Sequence, residues 1–294
     1  MTTVLLTGRT GQTGWELQRA LAPLGQVIAT GRGELDLADP DSIRAAIRQA
    51  KPSIIVNAGG FTSVDEVEQQ PELAMRVNGV APGVIAEEAK RLGARLLHYS
   101  TAYVFDGNSG KPYSEDDPPN PINVYGKSKL AGEQAIVATD CDHLILRTSW
   151  IYSRRGINFL TAILKLAREK KELAVVDDQI GSPTWAKAIA DATGQLLKKP
   201  RRAGGDAGIY HLTAAGQVSR FGLARKIIDN AREFTVGRGP WPNIRPIPSS
   251  EYPLPAARPR SCVLATGRIG RDFGTSMESW EDQLRACQRA DSAV

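Results

Sequence analysis

Residues 3–14 read TVLLTGRTGQTG, an aliphatic and β-branched run followed at once by three glycines at three-residue steps. This pattern is typical of a buried strand that turns through Gly8 and Gly11 and enters a helix at Gly14. In dinucleotide-binding folds such glycines make the tight turn, let the backbone approach a pyrophosphate and let the helix pack on the strand. The stretch therefore predicts a phosphate-binding loop at a helix N-terminus, and the alternative is a glycine-rich turn without a ligand.

The same alternation of strand-like and helix-like segments continues through the first half of the chain. Strand-like runs lie at residues 3–7, 26–30, 53–57, 94–99 and 143–147. Apolar residues at helical spacing lie between them, for example Leu17, Leu21 and Leu24. Successive units of this kind predict an α/β fold with a doubly wound parallel sheet of the Rossmann type.

The second half is less regular. We expect residues 1–150 to form an NAD(P)-binding Rossmann domain that segments of the second half complete. Residues 151–294 are expected to form mainly a smaller, partly interleaved α/β substrate-binding domain. Within it, residues 236–262 are rich in Pro, Gly, Arg and Ser and predict a long irregular connection before a last helix near 276–290.

Composition excludes several classes of protein. The 294 residues are 41% hydrophobic and 23% charged, which is ordinary for a globular protein. No apolar run approaches the ~18 residues of a membrane span, and the first residues lack the pattern of a signal peptide. We therefore expect a cytoplasmic protein that does not bind membranes. Cys141, Cys262 and Cys287 lack metal spacing and predict free thiols rather than disulfides or a zinc site.

The charge balance gives little support to nucleic-acid binding. Thirty-seven Lys and Arg stand against 32 Asp and Glu, a net charge of +5. The densest basic segment, Lys198, Lys199, Arg201 and Arg202 around Pro200, has no interleaved aromatic residues and no helix-turn-helix or zinc pattern nearby. An exposed helix end is the favoured interpretation, and a modest positive excess also suits small anionic ligands.

The end of the second strand-like run bears on the cofactor. Gly31 and Arg32 stand where a fold that prefers NADH usually carries an acidic residue for the ribose 2′-hydroxyl. Arg32, together with Arg9 in the glycine loop, favours the 2′-phosphate of NADPH, because guanidinium binds phosphate with paired hydrogen bonds. Each arginine is equally compatible with a solvated surface charge. Asp36 is a candidate acceptor for the adenine amino group, or it ends a loop before a helix cap.

Three polar side chains predict a reaction centre. Thr101 ends the fourth strand-like run at the carboxyl edge of the sheet, where doubly wound folds bind their ligands. Tyr125 and Lys129 are four residues apart and so project from one face of a predicted helix. A nearby ammonium stabilises a phenolate, so we expect Lys129 to lower the pKa of Tyr125 toward the range of a working general acid. The pair alone is more typical of a surface helix with a packed ring.

The order of these motifs resembles the extended short-chain dehydrogenase/reductase superfamily and, within it, the dTDP-4-dehydrorhamnose reductase family. The matching stretches are TGRTGQTGWELQRALAPLG (7–25), VNAGGFTSVDEVE (56–68), HYSTAYVFDG (98–107), NPINVYGKSKLAGE (120–133), LRTSWIYS (146–153), NFLTAILKLAREKKELAVVDDQIGSPT (158–184) and RPRSCVL (258–264). The resemblance implies reduction, by NADPH or NADH, of the 4-keto group of a dTDP-4-keto-6-deoxy sugar. The product would be dTDP-L-rhamnose, a precursor of lipopolysaccharide, O-antigen and other cell-surface polysaccharides.

The resemblance also implies roles for single residues. Tyr125 would protonate the C4 oxygen, Lys129 would tune Tyr125 and hold the nicotinamide ribose, and Thr101 would hydrogen-bond the same oxygen. The cofactor would contact Gly8, Gly11, Gln12, Thr13, Gly14, Arg32, Asp36, Leu37, Gly60, Phe61, Thr62, Tyr99, Tyr125 and Lys129. The substrate would contact Thr101, Ala102 and Trp150. For Trp150 a plain core aromatic is the alternative, and turn formation is an adequate explanation for Asp177, Asp178, Gln179, Gly181, Pro183 and Thr184.

The chain departs from the family pattern at several positions. Ala102 stands where the family has an aspartate that contacts the sugar, and Phe61 replaces a tyrosine. Some members form a magnesium site from glutamates, of which Glu16 matches one, but Lys187 replaces another. Lysine offers no oxygen and the wrong charge, so we expect no metal site.

Two other functions stay open at this point. An epimerase or dehydratase of the same superfamily would keep the fold and the three polar residues but recycle a tightly held cofactor. A non-catalytic regulatory subunit is the second alternative, which Ala102 keeps open and the intact Thr101, Tyr125 and Lys129 oppose. Either a monomer or a homodimer fits the sequence.

Overall fold

A six-stranded parallel sheet forms the centre of the protein, in a computed structural model that describes residues 2–200, 207–234 and 241–289. In spatial order its strands are β2 (Gln26–Thr30), β1 (Thr3–Thr7), β3 (Ile54–Asn57), β4 (Arg95–Thr101), β5 (His143–Thr148) and β10 (Gly208–His211). The strand order reverses between β1 and β3, which opens a crevice at their carboxyl ends. The predicted doubly wound Rossmann-type sheet is confirmed.

Helices cover both faces of this sheet, because successive side chains of a buried strand point to opposite sides. Val4 and Leu6 of β1 pack on one side, and Leu5 packs on the other. The helices on the Val4 side are α1 (Gln12–Leu21), α8 (Ala186–Lys198) and α10 (Gly267–Phe273). Those on the Leu5 side are α2 (Pro40–Ala50), α5 (Ala81–Leu92) and α6 (Val124–Thr139).

Short helices lead into α5, and the other elements of the second half build around their own apolar core. Before α5 come α3 (Val64–Gln69), α4 (Pro71–Ala74) and a π-helical turn at Met75–Val80. The second half adds α7 (Phe159–Glu169), α9 (Arg220–Phe234) and α11 (Trp280–Arg289). Its short strands are β6 (Ile151–Tyr152), β7 (Glu172–Val176), β8 (Ile180–Gly181), β9 (Thr184–Trp185), β11 (Val218–Ser219), β12 (Asn243–Ile247) and β13 (Ser261–Cys262). Strand β12 pairs with β7, β9 with β6, and β8 lies between β11 and β13.

The five strands expected in the first half are confirmed within a residue or two at their ends. The expectation of a long irregular connection is wrong for β12, which pairs with β7 in parallel register. Within the described ranges β12 pairs with β7 alone and is an edge strand. Proline is tolerated in edge strands, because it lacks the N–H group that a second neighbouring strand would need, so Pro246 does not exclude a strand. Residues 236–240 lie outside the described ranges, and the domain limits at residue 150 stay a prediction.

Three further sequence expectations concern features outside the sheet. Among the described residues, no helix combines the length and the apolar character that crossing a bilayer requires. All three cysteines are buried free thiols. In the same ranges no three His, Cys, Asp or Glu side chains group as a metal site. Lys198 is the last residue of α8, whereas Arg201 and Arg202 lie outside the described part of the chain.

Candidate active site

The loop after β1 is shaped by backbone contacts that only glycine permits. Gly8 has φ of 73°, and a Cβ there would lie 2.7 Å from Cα of Gly59. Its carbonyl accepts from the amide of Gly11 at 3.0 Å and packs against Gly14. Helix α1 follows with no acidic side chain in its first turn, so its free N–H groups present a positive end to an anion. The loop fits the pyrophosphate of a dinucleotide.

A cleft of about 810 Å³ opens beside this loop at the carboxyl edge of the sheet. Among its lining residues are many that the sequence analysis selected: Gly8, Gly11, Gln12, Thr13, Gly60, Thr62, Tyr99, Thr101, Tyr125, Lys129 and Trp150. Gly14, Leu37 and Phe61 are not among the lining residues, so their contact with the cofactor stays a prediction. The glycine loop, the end of β4 and the start of α6 therefore meet in one place, as the motif order predicts.

The start of α6 fixes where the tyrosine and the lysine point. Asn123 caps the helix, since its side-chain oxygen accepts from the amide of Gly126 at 2.8 Å. Its side-chain nitrogen donates to the carbonyl oxygen of Ala257 at 2.8 Å, which ties the cap to the second half of the chain. Tyr125 therefore occupies the first turn and Lys129 the next, with both side chains facing the cleft.

Tyr125 carries a neutral hydroxyl beside Thr101. The Thr101 oxygen accepts from the backbone amide of Tyr103 at 3.1 Å, so its proton is free to point at the Tyr125 oxygen or at a substrate oxygen. Burial raises the pKa of Tyr125 to about 12, and the Thr101 hydroxyl opposes this. The expected net fall of this pKa toward the range of a working acid is therefore wrong, because desolvation of the phenolate outweighs the groups that would lower the pKa.

Lys129 is buried and directed away from bulk water. Its ammonium donates to the carbonyl oxygen of Tyr99 at 2.5 Å and lies 3.2 Å from Nε2 of His98. Burial lowers the pKa of Lys129 to about 8, and the carboxylate of Glu133 one turn further along α6 opposes this. At neutral pH the group is still mainly a cation, so the lining of the cleft includes a positive charge one helical turn beyond Tyr125.

A buried chain of hydrogen bonds continues from Lys129 toward the glycine loop. Nδ1 of His98 lies 3.0 Å from the Asn57 side-chain amide, and the Thr7 hydroxyl donates to the other end of that amide at 2.7 Å. The amide of Gly59 donates to the same hydroxyl at 3.1 Å. The sequence analysis missed Asn57 and His98. Each of the two is a polar residue that directly follows apolar residues within its strand, and this pattern could have identified them.

Asn78 is a second residue that sequence reasoning missed. It lies in the π-helical turn, where its side chain accepts from the amide of Phe61 and donates to the carbonyl of the same residue, both at 2.9 Å. It also donates to the Ser128 hydroxyl of α6 at 3.1 Å. Asn78 therefore ties the loop after β3 to the helix that carries Tyr125, and π-helical turns of this kind are frequent at functional sites.

An ion pair beneath the cleft anchors α6 to the sheet. Glu133 and Arg147 face each other with two hydrogen bonds of 2.6 and 2.9 Å, and both side chains are 2% exposed. Ser100 of β4 donates to the same carboxylate. Because the pair lies one turn beyond Lys129, it fixes the position of the catalytic face of the helix. This role of Glu133 was not anticipated from the sequence.

The arginines proposed for a 2′-phosphate differ in their surroundings. Arg9 pairs with Glu34 at 2.7 Å and donates to the carbonyl oxygen of Ala29 at 3.1 Å. Glu34 also accepts from the amide of Gly31 at 2.9 Å, and these contacts hold the pKa of its carboxyl below the usual value. Arg32 is exposed beside this pair. A carboxylate thus does follow β2, at Glu34 rather than at the positions of Gly31 and Arg32.

Two predicted cofactor or substrate contacts lie elsewhere. The Asp36 carboxylate accepts from the amide of Ala38 at 2.9 Å and lies outside the cleft lining, which agrees with its alternative as a loop end. Ala102 is 1% exposed, belongs to an apolar cluster with Tyr103 and Phe105 and is not among the residues that line the cleft, so its contact with substrate stays a prediction. Ala102 begins a 3₁₀ turn, Ala102–Val104, directly after β4.

Side chains of the loop from Asp177 to Thr184 hydrogen-bond to other segments of the chain. Asp178 accepts from the amide of Ser249 at 3.0 Å, and Gln179 donates to the same serine hydroxyl at 3.1 Å. Thr184 is buried and accepts from the amide of Ala214 at 3.1 Å. These contacts join the loop to residues 214 and 249 and do not close a turn within it, so turn formation stays a prediction for the loop.

Lys187, which replaces a glutamate of the family pattern, belongs to a group of ion pairs on the surface of α1 and α8. Lys187 pairs with Asp191 at 2.6 Å, and Arg19 lies between Asp191 at 2.9 Å and Glu16 at 3.8 Å. A cation thus occupies the place of a carboxylate ligand, and the remaining carboxylates already face basic partners. This surface does not fit a magnesium ion.

Known proteins resemble the chain over nearly its whole length. The family model described as the RmlD substrate binding domain matches residues 1–292. The dTDP-4-dehydrorhamnose reductase of Burkholderia thailandensis is 44% identical over 292 residues, which cover 97% of this chain and 98% of the relative. The enzyme of the same name from Escherichia coli K12 is 40% identical and covers 95% of this chain and 94% of its own.

Solved structures agree with these matches. A crystal structure of dTDP-4-dehydrorhamnose reductase from Bacillus anthracis in complex with NADP superimposes with a TM-score of 0.90 at 31% identity, covering 98% of this chain and 99% of its own. The UDP-glucose 4-epimerase of Thermus thermophilus, in complex with NAD, reaches a TM-score of 0.79 at 18% identity, covering 100% of each chain. The second likeness concerns the fold alone.

Proposed function

The chain belongs to the RmlD substrate binding domain family, and from this premise we infer that it reduces the 4-keto group of dTDP-4-dehydrorhamnose to give dTDP-L-rhamnose. It is an oxidoreductase that uses NADPH or NADH and acts in dTDP-rhamnose biosynthesis. The observation that carries the inference is the near full-length identity to enzymes of that name, joined to the convergence of Thr101, Tyr125 and Lys129 in one cleft.

The glycine loop and Lys129 are the proposed cofactor contacts. The loop offers backbone N–H groups to the pyrophosphate, and the Lys129 ammonium can donate to a ribose hydroxyl while keeping its bond to Tyr99. When bound, the nicotinamide supplies the hydride that reaches the carbonyl carbon. The protein must then supply one proton to the carbonyl oxygen.

Tyr125 is the proposed proton donor. Because burial raises its pKa to about 12, the hydroxyl is protonated at neutral pH and ready to donate. The oxygen at C4 gains negative charge as the C–H bond forms, takes the proton from Tyr125 and becomes a hydroxyl group. Tyr125 is left as a phenolate, which the Lys129 ammonium and the Thr101 hydroxyl stabilise.

Thr101 has the free proton that a developing oxyanion needs. Its oxygen already accepts from the amide of Tyr103, so the oxygen is held in place before the substrate arrives and its proton is free to be donated. A donor fixed in advance costs no reorganisation when charge develops, and loss of one such donor typically lowers turnover by about 10²-fold or more. Thr101 and Tyr125 would thus bind the same oxygen from two directions.

The test is oxidation of NADPH, measured by its absorbance, with dTDP-4-dehydrorhamnose and with UDP- and GDP-linked 4-keto sugars. We expect turnover with the dTDP sugar and a dTDP-L-rhamnose product. An epimerase or dehydratase would instead convert a nucleotide sugar with no net loss of NADPH and would retain its cofactor through purification. Binding of cofactor without conversion of any sugar would favour the regulatory subunit.

The oligomeric state and the cellular location are two further points. We propose a monomer or a homodimer without a metal bridge, because Lys187 and Arg19 neutralise the carboxylates of the α1 and α8 surface. Sedimentation with and without a chelator tests this proposal, since a metal-bridged dimer would dissociate. The cytoplasmic location remains a prediction.

A further inference from the structure

The cleft contains an arginine that no carboxylate neutralises. Arg220 begins α9 and lines the cleft on the side away from the glycine loop. Within the described ranges no ion pair joins it to a carboxylate, and the titratable groups with the largest effect on its pKa are Tyr103, Cys262 and Arg258. Of these, Arg258 is itself paired with Asp65 at 2.7 Å. Arg220 is partly buried, and a partly buried cation without an anion is costly, so such a group in a cleft points to an anionic ligand.

The side chain of Arg220 is held in place by an aromatic platform. Its guanidinium lies 3.7 Å from the centre of the Trp150 ring and 5.1 Å from that of Phe159. Stacking of this kind fixes the plane of a guanidinium while leaving its N–H donors free at the edge. The arrangement suits binding of an oxyanion with paired hydrogen bonds.

The backbone is strained at Trp150, the first residue of this platform. Trp150 has φ of 44°, a conformation that bulky residues rarely adopt. Its ring lies against Gly181, where a Cβ would come within 2.6 Å of the indole. The backbone conformation at Trp150 and the missing Cβ at Gly181 therefore both accommodate this one ring. Strained conformations of this type persist where surrounding contacts enforce them and are concentrated at ligand sites.

The position of Arg220 relative to Tyr125 matches the geometry of the substrate. The Arg220 charge lies near the Tyr103 hydroxyl and opposes the rise in its pKa that burial causes, and the Tyr103 ring meets the Tyr125 ring edge to face at 5.8 Å. About one aromatic ring thus separates the cation from the proton donor. In a hexopyranose, C4 and the phosphorylated C1 lie on opposite sides of the ring. With C4 at Tyr125, the phosphate would extend toward Arg220.

We propose that Arg220, held on Trp150, binds the diphosphate of the nucleotide-sugar substrate. The assignment rests on the proposed function, because it takes the sugar to react at Tyr125. The cofactor pyrophosphate occupies the opposite end of the cleft at the glycine loop, so Arg220 should distinguish the two nucleotides. It also gives Trp150 a specific task, which is to position the guanidinium.

The experiment measures calorimetric binding of dTDP, thymidine and NADPH to the wild-type chain, Arg220→Gln and Arg225→Gln. Arg225 lies on the same helix, is exposed and lies outside the cleft lining, so it controls for the loss of one positive charge. We expect Arg220→Gln to weaken dTDP about 10- to 100-fold, as for a hydrogen-bonded charge pair. Thymidine and NADPH should bind Arg220→Gln as they bind the wild type, and Arg225→Gln should bind all three normally.

Several results would overturn the assignment. Unchanged binding of dTDP by Arg220→Gln would do so, as would an equal loss for thymidine or a loss confined to NADPH. The proposed function is tested separately by turnover of the wild-type chain. Turnover of the dTDP sugar with normal dTDP binding by Arg220→Gln would reject only the diphosphate contact. Selective loss of dTDP binding in a chain that reduces no 4-keto sugar would reject only the reductase.

Discussion

Nζ of Lys129 lies 3.2 Å from Nε2 of His98, and both groups are buried. An ammonium has no lone pair, so a charged Lys129 can only donate, and His98 must accept at Nε2 and carry its proton on Nδ1. The Asn57 amide must then turn its oxygen toward Nδ1, an orientation that a half-turn of the amide provides, and the Thr7 hydroxyl then accepts from the amide nitrogen instead of donating to the oxygen. Loss of the proton from Lys129 would allow the opposite orientation, so the charge on the lysine is coupled to this whole chain.

We expect turnover to fall as the pH rises through about 8. Burial lowers the pKa of Lys129 to about 8, so its ammonium is present below that pH and is lost above it. The ammonium stabilises the Tyr125 phenolate left by proton donation, and a neutral amine cannot. A profile of kcat against pH at saturating substrates measures this limb. Constant turnover well above that pH would exclude Lys129 as the stabilising charge.

His98→Leu should move the same limb to lower pH, by about one unit, because the ammonium loses a hydrogen-bond acceptor in a buried site. His98 itself stays neutral, since burial and the Lys129 charge hold its pKa well below the usual value. His98→Gln is the matched control, because its side-chain oxygen can accept from Lys129. Equal profiles for both variants would mean that His98 only fills space.

Tyr125→Phe should lower kcat by about 10²-fold or more while leaving the Kd of NADPH nearly unchanged, because only the positioned proton is lost. Stopped-flow turnover and fluorescence titration of NADPH measure the two quantities. Turnover close to that of the wild type would show that another group donates the proton.

Glu133→Gln should destabilise the protein by about 3–5 kcal/mol, because it leaves the Arg147 charge buried without its partner. The midpoint of urea unfolding measures the loss. Glu87→Gln provides a control, since Glu87 is 57% exposed and pairs with Arg44 only at 3.8 Å, and it should cost about 1 kcal/mol or less. Similar midpoints for the two variants would mean that the buried pair does not anchor α6.

Cofactor preference should respond to the charges at the end of β2. Arg32→Ala should weaken NADPH about tenfold more than NADH, because an arginine at this place can pair with a 2′-phosphate. Glu34→Gln should shift the preference the other way, since it removes a carboxylate and releases Arg9 from its ion pair. Dissociation constants for both cofactors measure the ratio. If neither variant changes it, the 2′-phosphate is bound by other groups.

Local patterns made much of the site predictable from the sequence. The glycine spacing after β1 and the four-residue separation of Tyr125 and Lys129 each depend on geometry within one loop or one helix. These features therefore lie where the pattern predicts. The order of strands in the first half follows for the same reason, since each strand and helix is visible in its own segment.

Features that depend on distant contacts could not be predicted. Arg220 meets Trp150 across some seventy residues of sequence, and His98 meets Asn57 across two strands. The burial of Ala102 depends on a 3₁₀ turn that directly follows β4. The pKa of Tyr125 depends on how deeply the ring is buried, which a four-residue spacing does not determine.

The sixth strand of the sheet sets a limit on the order in which the chain can fold during synthesis. Strand β5 is buried along its length and pairs on one side with β10, which comes more than sixty residues later. Helix α8 also covers α1, and the Thr193 hydroxyl on it bonds that of Tyr99 at 2.6 Å. A nascent chain that ends before β10 therefore exposes an unpaired strand edge. Until then a ribosome-bound intermediate presents that edge to other chains, and a chaperone that shields it would raise the yield of folded protein.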